Sequence, residues 1–277
     1  MPTYSSHDGT VLAYHLAGQG DPLICLPGGP GRPSGYLGDL GGLTASRRLI
    51  LLDNRGTGGS AAPADPSGYR ADRLVADVEA LREHLGLEMI DLLAHSAAAD
   101  VAVLYAARHP YRIRRLVLTT PSPRAVGLEP TDEEWSAVIR RRSAEPWYEK
   151  ALAALEAWES GDEREETYLA ARPFFYSPWD RTAEAHARSC PPVRAAAEGF
   201  YGEVAFDPDA TRTAVERLTA PVLVISGEDD PSPTPEQAAA YAAVFPEGRS
   251  ASVPGAHFPW VTAPREFAAT AERFLAG

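Results

Sequence analysis

A serine hydroxyl becomes a usable nucleophile at neutral pH only when a base takes its proton and an acid orients that base. Three residues of this chain have the types and settings for that work: Ser96, Asp230 and His257. Ser96 stands where an apolar run over 90–94 gives way to a helical pattern over 97–108. A serine at such a break is lifted above the strand ends, beside the backbone N–H groups of a helix start. Asp230 follows a second apolar run at 222–226, in Gly-Glu-Asp-Asp-Pro. Asp229 competes for the same role; Asp230, with Pro231 behind it in the turn, is the better placed. His257 lies in Pro-Gly-Ala-His-Phe-Pro-Trp, after the last strand candidate at 249–253. His95 is adjacent to the serine, but the tight turn throws the two side chains apart, and His109 reads as a helix-end residue before Pro110.

A carbonyl under attack also needs N–H donors for its developing oxyanion, each worth roughly 2.7–4 kcal/mol. The N–H of Ala97, next after the serine, supplies one. Gly29 supplies the other, from the rigid stretch Pro27-Gly28-Gly29-Pro30-Gly31 that follows an apolar run at 22–26. Glycine allows the backbone to approach a substrate closely, and the flanking prolines fix the loop. No metal-ligand spacing appears. Gly56-Thr57-Gly58-Gly59 lacks the lysine of a P-loop and the spacing of a dinucleotide fingerprint, so no cofactor is expected.

The elements that must hold these residues are short buried strands alternating with amphipathic helices. Strand candidates fall at 22–26, 48–53, 90–94, 116–119, 222–226 and 249–253, after a hairpin over 3–14. Leu74, Val75, Val78, Leu81 and Leu85 recur at helical spacing, as do the apolar residues of 264–275. Such alternation implies an α/β fold, a mostly parallel sheet covered on both faces. From about 131 to 202 the pattern is helical, without a buried strand. The chain therefore divides into a core at 1–123 and 211–277 and an inserted helical cap at 124–210. Trp147, Ala151, Leu155 and Trp158 share a helix face in that cap, either as its packing core or as the lining of a substrate cavity. Asp100 complements the start of the helix after the serine.

A formal net charge of -12 argues against nucleic acid and anionic membrane surfaces as partners. The partner expected is a small-molecule or short-peptide substrate; nothing in the composition speaks to oligomeric state. Two cysteines, Cys25 and Cys190, are too few for a disulfide framework. No apolar run approaches the ~18 residues of a membrane span, and the first residues show no leader pattern. A cytoplasmic location is the expectation.

With these pieces in place, the sequence resembles the α/β-hydrolase superfamily over essentially its whole length, and within it the prolyl aminopeptidase (proline iminopeptidase) branch. Pro27-Gly28-Gly29-Pro30-Gly31 is similar to that branch's H-G-G-P-G loop, and Asp53-Asn54-Arg55-Gly56-Thr57-Gly58-Gly59-Ser60 to its D-Q-R-G-x-G-x-S segment. The order Ser96, Asp230, His257 is the order α/β-hydrolases use. The resemblance implies Ser96 as nucleophile, Asp230 as acid and His257 as base. It also implies cap glutamates that bind a substrate's free amino group: Glu159, beside Trp158, and Glu198, in Glu198-Gly199-Phe200-Tyr201 with Tyr201. At the elbow, Ala94-His95-Ser96-Ala97-Ala98 stands where the branch carries G-G-S-W-G, and the small residue after the serine is more like esterases. An aminopeptidase-like serine hydrolase, a small-molecule esterase or thioesterase, and a lyase, cyclase or dehydratase on the same fold all remain open on the sequence.

Overall fold

The computed structural model describes residues 1–162, 164–202 and 205–277. Strands β1 (Thr3–Ser5) and β2 (Val11–Ala17) form the opening hairpin. They are followed by β3 (Asp21–Leu26), β4 (Arg47–Leu52), β5 (Ile90–His95), β6 (Ile113–Thr119), β7 (Val222–Gly227) and β8 (Gly248–Val253). Among the described residues these form a single sheet in the order β1-β2-β4-β3-β5-β6-β7-β8. β2 is antiparallel to both β1 and β4, and every other pairing is parallel. The chain steps outward from β3 to β4 and then returns across β3 to β5, so the winding reverses between β3 and β5. In an open parallel sheet, that reversal opens a crevice at the C-terminal strand ends. β3 delivers 27–31 into the crevice, and β5 delivers Ser96.

Alternate residues of the central strands face opposite sides. Ile24, Leu26, Leu92 and Ala94 join one buried cluster, while Leu23, Cys25 and Leu93 join another. Burial on both faces is why these strands read as near-continuous apolar runs. Helices α1 (Ala71–His84) and α2 (Ala98–Arg108) cover the first face through Leu74, Val78, Leu81 and Val101.

Between β6 and β7 lie α3 (Asp132–Arg140), α4 (Tyr148–Glu159), α5 (Glu165–Ala171), α6 (Arg181–Arg188), α7 (Arg194–Phe200) and α8 (Pro208–Val215). α3 opens on a capping box in which Thr131 and Glu134 satisfy each other's backbone N–H. Ile139, Tyr148, Ala151, Leu155 and Phe174 form a small core belonging to this helical region alone. Tyr176, Ala183 and Ala187 tie the region down to Tyr36, Phe258 and Trp260 in the second-face cluster. α8 begins inside the stretch 124–210 but packs against α2, with Val215 in the first-face cluster. Then come α9 (Pro235–Ala242), α10 (Pro259–Thr262) and α11 (Pro264–Ala276), the last burying Phe267, Ala271 and Leu275 on the second face. Among the described residues no helix is long and apolar enough to cross a membrane.

Candidate active site

The turn from β5 into α2 holds Ser96 at a φ of 54°, in the left-handed region that a side-chain-bearing residue adopts only at a cost. The end of β6 pins it there. The Ser96 N–H donates to the Thr119 carbonyl at 3.0 Å, and the Ser96 carbonyl accepts from the Ser122 N–H at 3.0 Å. The loop after β3 passes so close that a Cβ on Gly28 would stand 2.4 Å from the His95 carbonyl oxygen and 2.9 Å from the Ser96 Cβ. Buried Ala97 and Ala98 keep the other side of the turn small.

Three loops bring Ser96, Asp230 and His257 together. The Ser96 hydroxyl lies 2.9 Å from His257 Nε2, and His257 Nδ1 lies 3.0 Å from one oxygen of Asp230 and 3.3 Å from the other. The carboxylate fixes the proton on Nδ1, so Nε2 is left to accept from the serine. Asp230 is 1% exposed, and burial pushes its carboxyl group up from the ordinary value while the His257 ring opposes the shift. The Ser232 N–H, at 3.1 Å, is a further donor to it. Its competitor Asp229 faces the cap instead, accepting from the Ser177 hydroxyl at 2.6 Å. Beside the serine, neither the Gly29 nor the Ala97 N–H has a protein acceptor among the described residues.

His95 serves as a strut. Its Nε2 reaches the His257 carbonyl at 3.0 Å, and its Nδ1 reaches the Tyr36 hydroxyl at 2.7 Å. A carbonyl only accepts, so Nε2 carries the proton and Nδ1 accepts from Tyr36. The Tyr36 oxygen in turn accepts the Gly28 N–H at 2.7 Å. Burial drives the His95 pKa well down, so the ring is neutral and the chain of donors has one direction. The Thr120 hydroxyl also donates to the His257 carbonyl at 3.0 Å. No sequence pattern marks Tyr36, since the contact spans 59 positions.

Ser96, His257 and Gly29 open into a cleft of about 450 Å³ walled on the cap side by Trp135, Trp158, Glu159, Arg172 and Phe175. A larger recess of about 820 Å³ lies between α4, α5 and α6, lined by Trp147, Lys150 and Arg188 and apart from the Ser–His–Asp group. Glu159 is exposed in the cleft, and partial burial, with Glu156 and Asp132 nearby, raises its pKa against the opposing influence of the Trp135 indole. Trp158 lies edge-on to Tyr168 at 5.8 Å. Glu198 points elsewhere: it is exposed and paired with Arg194 at 2.6 Å on α7, and it is absent from the cleft wall. Tyr201 also stands back from the cleft, under the Arg124 guanidinium at 4.4 Å. Asp53 is a brace, accepting from the Ser34 N–H and hydroxyl and from the Gly59 N–H. Among the described residues no group of His, Cys, Asp and Glu could hold a metal ion.

A family model described as alpha/beta hydrolase fold matches residues 21–264. The chain belongs to the α/β-hydrolase family. This α/β-hydrolase is 30% identical over 224 residues to a proline iminopeptidase of Lactobacillus helveticus strain DPC 4571, a match covering 76% of this chain and 74% of that one. It is 26% identical over 273 residues to a proline iminopeptidase of Heyndrickxia coagulans, covering 93% and 91%. These relatives put the α/β-hydrolase in the prolyl aminopeptidase branch. Among solved structures, the proline iminopeptidase of Mycobacterium smegmatis matches with a TM-score of 0.74 at 23% identity, over 99% of this chain and 97% of that one, a likeness of fold.

Proposed function

We propose that this α/β-hydrolase is a serine hydrolase that works through an acyl-enzyme on a small amide or short peptide bearing a free amine. The observation that carries the reading is the continuous path from the Ser96 hydroxyl through His257 to buried Asp230, at 2.9 and 3.0 Å. As the Ser96 oxygen bonds to the substrate carbonyl carbon, its proton passes to His257 Nε2, and Asp230 balances the imidazolium. The carbonyl oxygen takes up the negative charge and is met by the Gly29 and Ala97 N–H groups. His257 then gives the proton to the leaving amine as the C–N bond breaks. Water, deprotonated by the same nitrogen, attacks the acyl carbon, and as the Ser96–acyl C–O bond breaks His257 returns the proton to the Ser96 oxygen and the acid is released.

Support for an aminopeptidase-like substrate comes from the relatives named above and from Glu159, a carboxylate in the cleft without an arginine partner among the described residues, and so open to an ammonium group. An esterase is the second reading, favoured by the small Ala97 after the nucleophile. The two free cysteines, one of them buried, fit a reducing compartment, and a cytoplasmic location is part of the proposal.

A fluorophosphonate probe should label the wild type and leave Ser96→Ala unlabelled; a folded wild type that stays unlabelled defeats the acyl-enzyme reading. Proline β-naphthylamide should then be hydrolysed, with Glu159→Gln raising its KM by about tenfold through loss of the ammonium partner. Turnover confined to p-nitrophenyl acetate and butyrate, indifferent to Glu159→Gln, would hand the site to the esterase reading.

A further inference from the structure

Five arginines are buried among the described residues: Arg32, Arg47, Arg55, Arg82 and Arg172. Arg47, Arg55 and Arg82 each have a carboxylate at hydrogen-bond distance, from Glu272, Asp77 and Glu79 respectively. Arg32 gives two of its N–H groups to the carbonyls of Cys190 and Ser189. Arg172 has none of this. It is 6% exposed, and among the described residues its guanidinium meets no carboxylate and no carbonyl, with Nε sealed from solvent and lacking any acceptor. Its contacts are aromatic faces: Phe175 at 4.4 Å, Tyr168 at 4.7 Å and, farther off, Phe258 at 5.7 Å.

Burying a cation without an anion is costly, and ring faces offset only part of that cost. Buried polar groups nearly always find partners, so an orphan in a cleft wall calls for a ligand. Arg172 opens the turn Arg172–Phe175 and lines the same cleft as Ser96 and His257. It is close to the chemistry, because the Phe175 carbonyl accepts the His257 N–H at 3.1 Å and the Phe175 ring lies 5.8 Å from that of His257. The cleft's own acids do not pair with it. Glu129 is engaged by Arg124 at 3.1 Å. Glu159 forms no ion pair with an arginine among the described residues, and the charges that act on it are those of Glu156 and Asp132.

We propose that Arg172 binds a carboxylate carried by the substrate. A guanidinium fork matches a carboxylate in two parallel hydrogen bonds, and its aromatic neighbours hold the fork flat. The reading rests on Ser96 as the reacting centre of this cleft. The carboxylate belongs either to the leaving group, as the C-terminus of a dipeptide does, or to the acyl part, as the free end of a dicarboxylic monoester does.

Matched substrates given to the intact enzyme test this. Prolylalanine against prolylalaninamide puts the carboxylate on the leaving side, and mono-p-nitrophenyl succinate against p-nitrophenyl butyrate puts it on the acyl side. In at least one pair the charged member is favoured about tenfold or more in kcat/KM, mostly through KM, and Arg172→Gln brings that ratio to about one while Arg172→Lys keeps part of it. Binding without turnover is a second readout. Phenylacetate should quench tryptophan emission saturably, since Trp135 and Trp158 line the cleft, and bind about tenfold tighter than phenylacetamide. Equal treatment of charged and neutral partners in both pairs and in the titration overturns the proposal, as does a preference that survives Arg172→Gln. Should Arg172→Gln fail to fold, the wild-type ratios and the lysine variant still decide. Selective phenylacetate binding without turnover sinks the hydrolase reading and keeps the anion site; turnover without selectivity does the reverse.

Discussion

At Asp100, two buried hydrogen bonds hold a carboxyl group one helical turn beyond Ser96. It accepts from the Ser122 hydroxyl at 2.7 Å and the Ala125 N–H at 2.8 Å, and so ties the loop after β6 to the start of α2. Burial outweighs both bonds and pushes the pKa up to about 7. In the unfolded chain an aspartate titrates near ~3.9. Between those two values the folded state binds the extra proton. Stability therefore falls as pH rises from about 4 to about 7, and the full penalty, on the order of 4 kcal/mol, is present above that range. A neutral asparagine side chain in its place would carry no such penalty. Asp100→Asn should gain on the wild type in urea midpoint between pH 5 and pH 8; a difference that stays constant with pH would show that Asp100 does not titrate in this window.

Between elements, the connection that matters most runs through Tyr36. Its hydroxyl joins the loop after β3, through the Gly28 N–H, to His95 at the end of β5, and His95 reaches the backbone of the base-bearing loop after β8. Tyr36→Phe removes one oxygen and orphans two buried groups at once, a donor on Gly28 and an acceptor on His95. Each such orphan costs about 1–3 kcal/mol. The same change frees the Gly29 N–H to drift relative to Ser96, so kcat should fall by about tenfold or more while KM moves little. Steady-state kinetics alongside a thermal melt would check this; a variant that loses stability with unchanged kcat would reduce Tyr36 to packing alone.

On the scale of the whole molecule, the sheet and the cap differ in how readable they are. Strands sealed on both faces leave near-continuous apolar runs, and Ser96 and Asp230 stand at the ends of two of them, while His257 follows the largely exposed edge strand β8 and is marked by its Gly/Pro loop instead, so this much is legible in the sequence. Cap helices are short and bury against partners that spacing does not name. The segment from Glu198 to Tyr201 accordingly splits, with Glu198 facing solvent beside Arg194 and Tyr201 tucked under Arg124. Arg172 and Trp135 belong to no motif at all. The cap's separate core also sets what its loss would do. Phe174 is 1% exposed, with its ring edge-on to Trp147 at 5.1 Å and Tyr148 at 5.8 Å. Phe174→Ala removes about 3–5 kcal/mol of packing, and that cluster is distinct from the two that cover the sheet. The loosening therefore falls on the cleft wall of Trp158, Glu159 and Arg172 while the strand ends keep their geometry. Bridges between the two include the hydrogen bond from His257 to the neighbouring Phe175 carbonyl, the Ser177 hydroxyl on Asp229 and the stacking of Tyr176 on Phe258 at 4.8 Å, while Asp230, Ser96, His95 and Thr120 hold the imidazole and carbonyl of His257 from below. Phe174→Ala should raise KM severalfold, admit protease first between α3 and α6, and keep fluorophosphonate labelling of Ser96. If labelling disappears while the sheet still melts cooperatively, the cap shapes the catalytic group as well as the substrate.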